Sequence, residues 1–345
     1  MIRFFSITAL LCLVVAGILG LLGWRDYNQY LETPVNLSNP NAADTNSATQ
    51  SVSFTIEPGW SAKRVGNELH EAGIIDKPHW FDMYARLSKK AAGIKTGEYV
   101  LSGKLTVPEL FETFQQGRTR QYTHTVIEGD NWKQLLSRLA QSEHLKHTLE
   151  NPSVEQLMQA IGHEGLHPEG QFFADTYAFP KDTTDVEYLK RAKNMLDQVL
   201  AEEWENRQEG LPLETPYEAL ILASIVEKET AVAEERPLIA QVFLSRLVKR
   251  MRLQTDPTVI YGMGDSFDGD IRRKDLTTDT PYNTYTRSGL QPTPISMVGR
   301  EAIHAVLHPE PTTALFFVAR GDGTHQFSDT NEQHNAAVRK YQLKR

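Results

Sequence analysis

The chain has one cysteine, Cys12, so no disulfide can form within it. That excludes a disulfide-stapled scaffold without fixing a compartment. Positive charge is also scarce. The 36 Lys and Arg residues stand against 44 Asp and Glu, for a net charge of −8. No basic stripe and no aromatic-spaced Arg/Lys cluster occurs, which argues against nucleic acid as a partner. Long apolar runs are absent except at the start. What the chain does have is 345 residues with 40% hydrophobic content, enough for two or more packed domains besides an anchor.

The one long apolar run is uncharged from Phe4 to Trp24, 21 residues, sufficient to cross a bilayer as a helix. Arg25-Asp26 ends it, and Trp24 and Tyr27 suit an interface. Gly20-Leu21-Leu22-Gly23-Trp24 is a poor cleavage site, so an uncleaved anchor over residues 4–24 is expected, with residues 1–3 as a cytoplasmic stub. The remainder would face the periplasm or cell exterior. Residues 25–53, rich in Asn, Ser, Thr and Pro, read as a flexible tether.

Two later segments resemble each other: Glu57-Pro58-Gly59-Trp60 and Glu128-Gly129-Asp130-Asn131-Trp132, each following a short β pattern and preceding an amphipathic helical one. Between them, helical patterns at Trp80–Leu87 and Val107–Phe114 flank a strand at Gly97–Leu101. Residues 54–122 therefore read as a small α+β module that resembles LysM, a family of sugar-chain binders; a packing module without a ligand is the alternative. Residues 123–345 form a larger mixed α+β domain. There Asp185–Arg207 and Glu235–Lys249 are helical, Gln254–Pro294 is loop-rich, and Leu315–Ala319 is a strand.

The chemistry concentrates in that second half. Thr215-Pro216-Tyr217-Glu218 is a helix start with the signature of a capping box. On the helix that follows, Ile221, Leu222, Ile225 and Val226 share a face, and Glu229 falls in its middle, whereas Glu227 points away. A carboxyl among apolar neighbours favours its neutral form, which makes Glu229 a candidate general acid; the alternative is an acid at a frayed end reaching water. Polar and aromatic loop clusters around Gln254, Tyr261, Tyr282 and His325 are what a carbohydrate groove uses, although the same residue types also build turns.

The segments Ala223–Thr230, Leu253–Gly262, Tyr282–Tyr285 and Glu169–Tyr177 together resemble the YceG-like family, the endolytic murein transglycosylases, over nearly the whole chain. The resemblance implies a membrane-anchored lyase that cleaves within peptidoglycan glycan strands beside the membrane. It places the catalytic glutamate at Glu229, the residue the helical pattern also selects. Glu169, Gln254, Asp256, Tyr261, Tyr282 and Asn283 are the candidate substrate contacts, and peptidoglycan synthases are candidate partners. A lysozyme-like muramidase using Asp256 as a second carboxylate, and a non-enzymatic glycan-binding scaffold, are the rival readings. Two departures from the family pattern stand out: Ala174 where proline is usual, and Gln291 in the Gly289-Leu290-Gln291-Pro292 turn. No cofactor and no metal are expected. Glu301, His304 and His308 share a helix face without the His-Glu-x-x-His pattern, and no neighbouring acid completes a ligand set. Asp265 to Asp270 resembles half of a calcium loop and reads as a solvated turn.

Overall fold

The structure, a computed structural model, describes residues 2–38 and 51–343. The fold is mixed α and β, rich in helix, and the chain separates into two compact units, Met1–Tyr122 and Thr123–Arg345.

The first unit opens with α1 (Ile2–Glu32). Its stretch Leu10–Glu32 is long and apolar enough to cross a membrane, with a mean hydropathy of 1.6. The apolar side chains from Leu10 to Trp24 are largely exposed. Beyond Trp24 the picture differs from the expected tether. The helix continues, and Tyr27 and Leu37 are buried in the unit's core, with Tyr30, Leu31 and Val35 packed beside them. Asp26 accepts hydrogen bonds from Lys77 Nζ at 2.6 Å and Trp80 Nε1 at 3.0 Å. The Val35 and Asn36 amides donate to the carbonyls of Leu105 and Ile74. The physical reason is the apolar spacing from Tyr27 to Leu37, which pins the segment before the Asn- and Ser-rich stretch begins. Residues 39–50 of that tether lie outside the described residues.

The rest of the unit follows the order strand, two helices, strand, helix. β1 (Ser51–Ile56) pairs antiparallel with β2 (Gly97–Ser102), Phe54 opposite Tyr99. Val52, Phe54 and Ile56 alternate inward, as a half-buried strand requires. Between the strands lie α2 (Ala62–Glu71), capped by Ser61, and α3 (Pro78–Leu87). α4 (Val107–Gln116) starts with a Thr106/Glu109 capping box and ends on Gly117 at φ +68°, the left-handed conformation that favours glycine. Phe81, Tyr99, Phe111 and Phe114 fill the core.

The second unit begins within β3 (Gln121–Thr125), which pairs with β5 (Thr176–Pro180). α5 (Trp132–Leu139), β4 (Leu145–Lys146) and α6 (Val154–Ile161) intervene, and β6 (Thr183–Thr184) runs parallel to β4. Four helices then build the core: α7 (Asp185–Glu205), α8 (Pro216–Glu229), α9 (Arg236–Val248) and, further on, α12 (Arg300–Leu307). Within the span expected to be loop lie α10 (Asp256–Met263) and α11 (Arg273–Thr277). β7 (Phe316–Ala319) and β8 (His325–Ser328) form an antiparallel hairpin, and α13 (Asn331–Tyr341) closes the unit.

α8 is the centre of this unit. Thr215 caps it by accepting from the Glu218 amide at 3.2 Å, and Pro216 fits the first turn. Glu218 reaches back to the Glu214 amide, one residue short of a reciprocal box. Every residue from Ala219 to Val226 is buried, so the helix has no polar face. Each buried Leu, Ile or Val contributes roughly 2 kcal/mol. Ser224 is part of that packing: its hydroxyl donates to the Ile221 carbonyl and accepts from the Ile295 amide.

Candidate active site

Glu229 is the last residue of α8, where Thr230 turns extended and stops the helix. Its carboxyl accepts a hydrogen bond from the Thr255 hydroxyl. Burial, with neighbouring Asp256, outweighs the pull of Thr255, His325 and Arg246 and raises it to about 7. Glu227 was expected to meet an opposite environment. It is buried as well, its side chain 4% exposed, with Arg236 at 3.3 Å and the Gly299 amide at 3.1 Å. Burial raises its carboxyl too. Since α8 is buried all round, the two acids differ in their partners: Glu227 holds an arginine, and Glu229 holds a hydroxyl.

The Thr255 hydroxyl is itself held in place. The Thr255 amide donates to Thr284 Oγ1 at 3.1 Å, and Thr258 Oγ1 bridges the Thr255 carbonyl and Thr284 Oγ1. The motif at Gln254–Thr258 and the motif at Tyr282–Tyr285 are thereby joined, and their joint product is a donor aimed at Glu229. Gln254 enters this turn at φ +49°, a left-handed conformation that strains a side-chain-bearing residue.

Glu229, Gln254, Thr255 and Asp256 line one cleft of about 510 Å³, together with Arg246, Tyr285, Phe316, His325 and His334. Arg246 is a buried cation spent on carbonyls: Nε donates to Leu315 at 2.7 Å and Nη1 to Leu253 at 2.6 Å. No acid forms a salt bridge with it among the described residues. His325 is set by Glu235, which accepts from its backbone amide at 2.8 Å and lies 2.7 Å from Nδ1. That contact places the ring hydrogen on Nδ1 and leaves Nε2 for the far side. Asp256 is exposed and accepts from the Tyr285 hydroxyl at 2.6 Å.

Glu169, Tyr261 and Tyr282 line a second cleft, of about 600 Å³, with Trp132 and Lys228. Glu169 is fully buried. Its Oε1 accepts from the Trp132 amide at 3.2 Å, and Oε2 lacks a hydrogen bond of ordinary geometry. Burial pushes its carboxyl up to about 7 against the pull of Tyr261 and two backbone amides. Gly170 sits at φ +71° with a would-be Cβ 2.4 Å from Pro294 Cβ, so the Glu169-Gly170 turn requires glycine twice over. Tyr261 and Tyr282 meet edge to face at 4.8 Å. α10 borders both clefts, Asp256 on the first and Tyr261 on the second.

Asn283 stands apart from both. It is 1% exposed, and its amide donates to the carbonyls of Asp275, Leu276 and Thr278 while its oxygen accepts from the Tyr285 amide. With every polar atom spent on the loop, it positions Tyr285 and has no group left for a ligand. Arg246 and Glu235 escaped the sequence reading, because an arginine or an acid on a helix looks like solvated surface. Of the two departures from the family pattern, Ala174 is put to use: its amide donates to the Val298 carbonyl, a bond a proline could not make.

Comparison with known proteins agrees with these motifs. The model of the YceG-like family matches residues 54–340. A Bacillus subtilis protein named endolytic murein transglycosylase is 30% identical over 307 residues, covering 84% of each chain. A Streptococcus pneumoniae protein of the same name is 26% identical over 94% of this chain, which spans 63% of that protein's length. A crystal structure of a YceG-like protein from Listeria monocytogenes superposes with a TM-score of 0.51 at 28% identity, covering 84% of this chain and 99% of that one. The motifs at Glu169, Glu229, Gln254 and Tyr282 are thus set in a shared fold, and the chain belongs to the YceG-like family.

Proposed function

We propose that this protein is a peptidoglycan lytic transglycosylase that cuts within glycan strands at the β-1,4 bond between N-acetylmuramic acid and N-acetylglucosamine, with Glu229 as acid and then base. The observation that carries the reading is a buried carboxyl at the wall of a polar cleft, one oxygen held by Thr255, which burial raises to about 7. The names of the bacterial relatives support the substrate class.

The groups around Glu229 suit both halves of such a cycle. Burial and Asp256 favour the protonated acid that donates to the glycosidic oxygen. Thr255, His325 and Arg246 favour the carboxylate that results. That carboxylate takes the proton from the muramyl C6 hydroxyl as it attacks C1, giving a 1,6-anhydro end. An internal nucleophile needs no positioned water, so one carboxyl suffices. α1 anchors the protein in the cell membrane with the rest outside the cytoplasm, and the first unit binds glycan as a LysM-like module.

Glu229→Gln keeps the shape and loses the proton. It is expected to abolish anhydro-end formation on purified uncrosslinked strands, read by mass spectrometry, while the circular dichroism stays unchanged. Retained activity would refute the assignment. Asp256 shares the cleft, which favours a second reading as a hydrolase. Reducing muramic acid ends in the wild-type digest would establish that reading instead.

A further inference from the structure

His304 on α12 and His308, which caps its end, find their missing acid on another helix. Glu301, the acid expected beside them, is turned to Arg236 at 2.6 Å. Glu203 of α7 takes its place: its Oε2 lies 2.8 Å from His304 Nδ1 and 4.0 Å from His308 Nδ1. The imidazoles stack at 4.1 Å, and the three ligand atoms all lie within 4.8 Å of one another.

His308 makes the cluster more than an ion pair. Its Nε2 is 2.8 Å from the Asn206 carbonyl oxygen, an obligate acceptor, so the ring hydrogen is on Nε2. In the neutral ring Nδ1 is then a lone pair, and it is buried without a hydrogen-bond partner. It faces a carboxylate oxygen, so two acceptors confront each other at a distance too long for a hydrogen bond. A cation between them resolves the confrontation.

We propose that Glu203, His304 and His308 bind a divalent transition-metal ion of the Zn²⁺ class, linking α7 to α12. Two imidazole nitrogens and one carboxylate form a borderline ligand set that prefers Zn²⁺ to Mg²⁺ or Ca²⁺. Bonds of about 2.0–2.2 Å in a tetrahedron put ligand atoms a little over 3 Å apart, so both contacts to Oε2 need to shift by only about half an ångström. Because ring lone pairs lie in the ring plane, His304, 57% exposed, would turn out of its stack on His308 to share the ion. The outer contacts are in place as well: the Asn206 carbonyl orients His308, and Arg300 Nη1 holds the other Glu203 oxygen at 2.7 Å. Arg300 also pairs with Glu202, which offsets its charge beside a cation. The fourth position is left to water. α12 packs against α8, so the ion would brace the helix that ends in Glu229 without touching the cleft.

The test uses tag-free full-length protein in detergent, stripped with chelator and titrated with ZnCl₂ by calorimetry, with thermal unfolding followed in parallel. One Zn²⁺ per chain with micromolar affinity and a raised melting temperature are expected, and no response to Mg²⁺ at the same concentration. His304→Ala, His308→Ala and Glu203→Gln should each weaken binding by roughly tenfold or more. Glu229→Gln should bind as the parent does, which separates this site from the proposed reaction. Absence of stoichiometric binding to the parent, or affinity unchanged in a His304→Ala/His308→Ala variant, overturns the proposal. If Glu203→Gln fails to fold, the exposed His304→Ala carries the test.

Discussion

Glu227 and Glu229 show how one residue type acquires two roles within a single helical turn. Both are withdrawn from water, and burial raises both carboxyls. Glu227 is answered by a guanidinium, and Glu229 is left with a hydroxyl and a cleft. The second arrangement works against folding. The folded chain binds the Glu229 proton up to about pH 7, the unfolded chain only up to about 4.5. Ionisation therefore opposes folding: the penalty is absent below pH 4.5, grows between 4.5 and 7, and is complete above 7. Glu229→Gln removes it, so the variant should be more stable than the parent by about 2 kcal/mol at pH 8 after allowing for solvent in the cleft, with little gain at pH 4.5. Denaturant unfolding at the two pH values measures this, and an equal gain at both would contradict a proton held by burial. Activity of the parent should fall as pH rises past about 7, following loss of the same proton.

Among the elements, the end of α8 is fixed by charge. Arg236 at the start of α9 reaches Glu227 on α8 at 3.3 Å and Glu301 on α12 at 2.6 Å, so one guanidinium joins three helices beside Glu229. Arg236→Ala leaves a buried carboxylate without its cation and should destabilise the protein by about 3–5 kcal/mol at neutral pH, less in acid where Glu227 takes up a proton. Urea unfolding at pH 7 and pH 5 tests both parts; a loss below about 1 kcal/mol would mean a solvated pair. Much of this framework is readable in the chain. Thr215, Pro216 and an apolar run announce α8, and paired Gly turns before Trp60 and Trp132 announce two strand–turn–helix units. α10 was hidden because Gly, Pro, Thr and Asn around it read as loop, although Asp256-Pro257 is a helix start. The site was half visible. Motif and pattern both indicated Glu229, but its partners Thr255 and His325 arrive from distant segments, and Asn283 looked like a contact because nothing local reveals which carbonyls a buried amide will meet. Glu203 and its histidines are about a hundred residues apart in sequence and adjacent only in the fold.

At the scale of the molecule, α1 and the residues that follow it have two parts with different surroundings. Leu10 to Trp24 present exposed apolar side chains, and Tyr27 to Leu37 are built into the first unit. Two shortened chains separate these parts. One that starts at Arg25 should lose membrane association and keep the first unit's stability. One that starts at Ser51 also loses the burial of Tyr27 and Leu37, roughly 2 kcal/mol each. Its first unit should melt several degrees lower, and identical melting of the two chains would contradict the packing described.

The described segments on either side of residues 39–50 therefore belong to the same body. Ser38 follows a segment bonded to Ile74 and Leu105, and Ser51 opens β1. With both ends fixed to that body, adding residues between them would leave the distance from α1 to the body unchanged. Were α1 to span a bilayer, the standoff of the first unit from the lipid surface would instead be a fixed rung count, the turns between Trp24 and Glu32 at about 1.5 Å per residue.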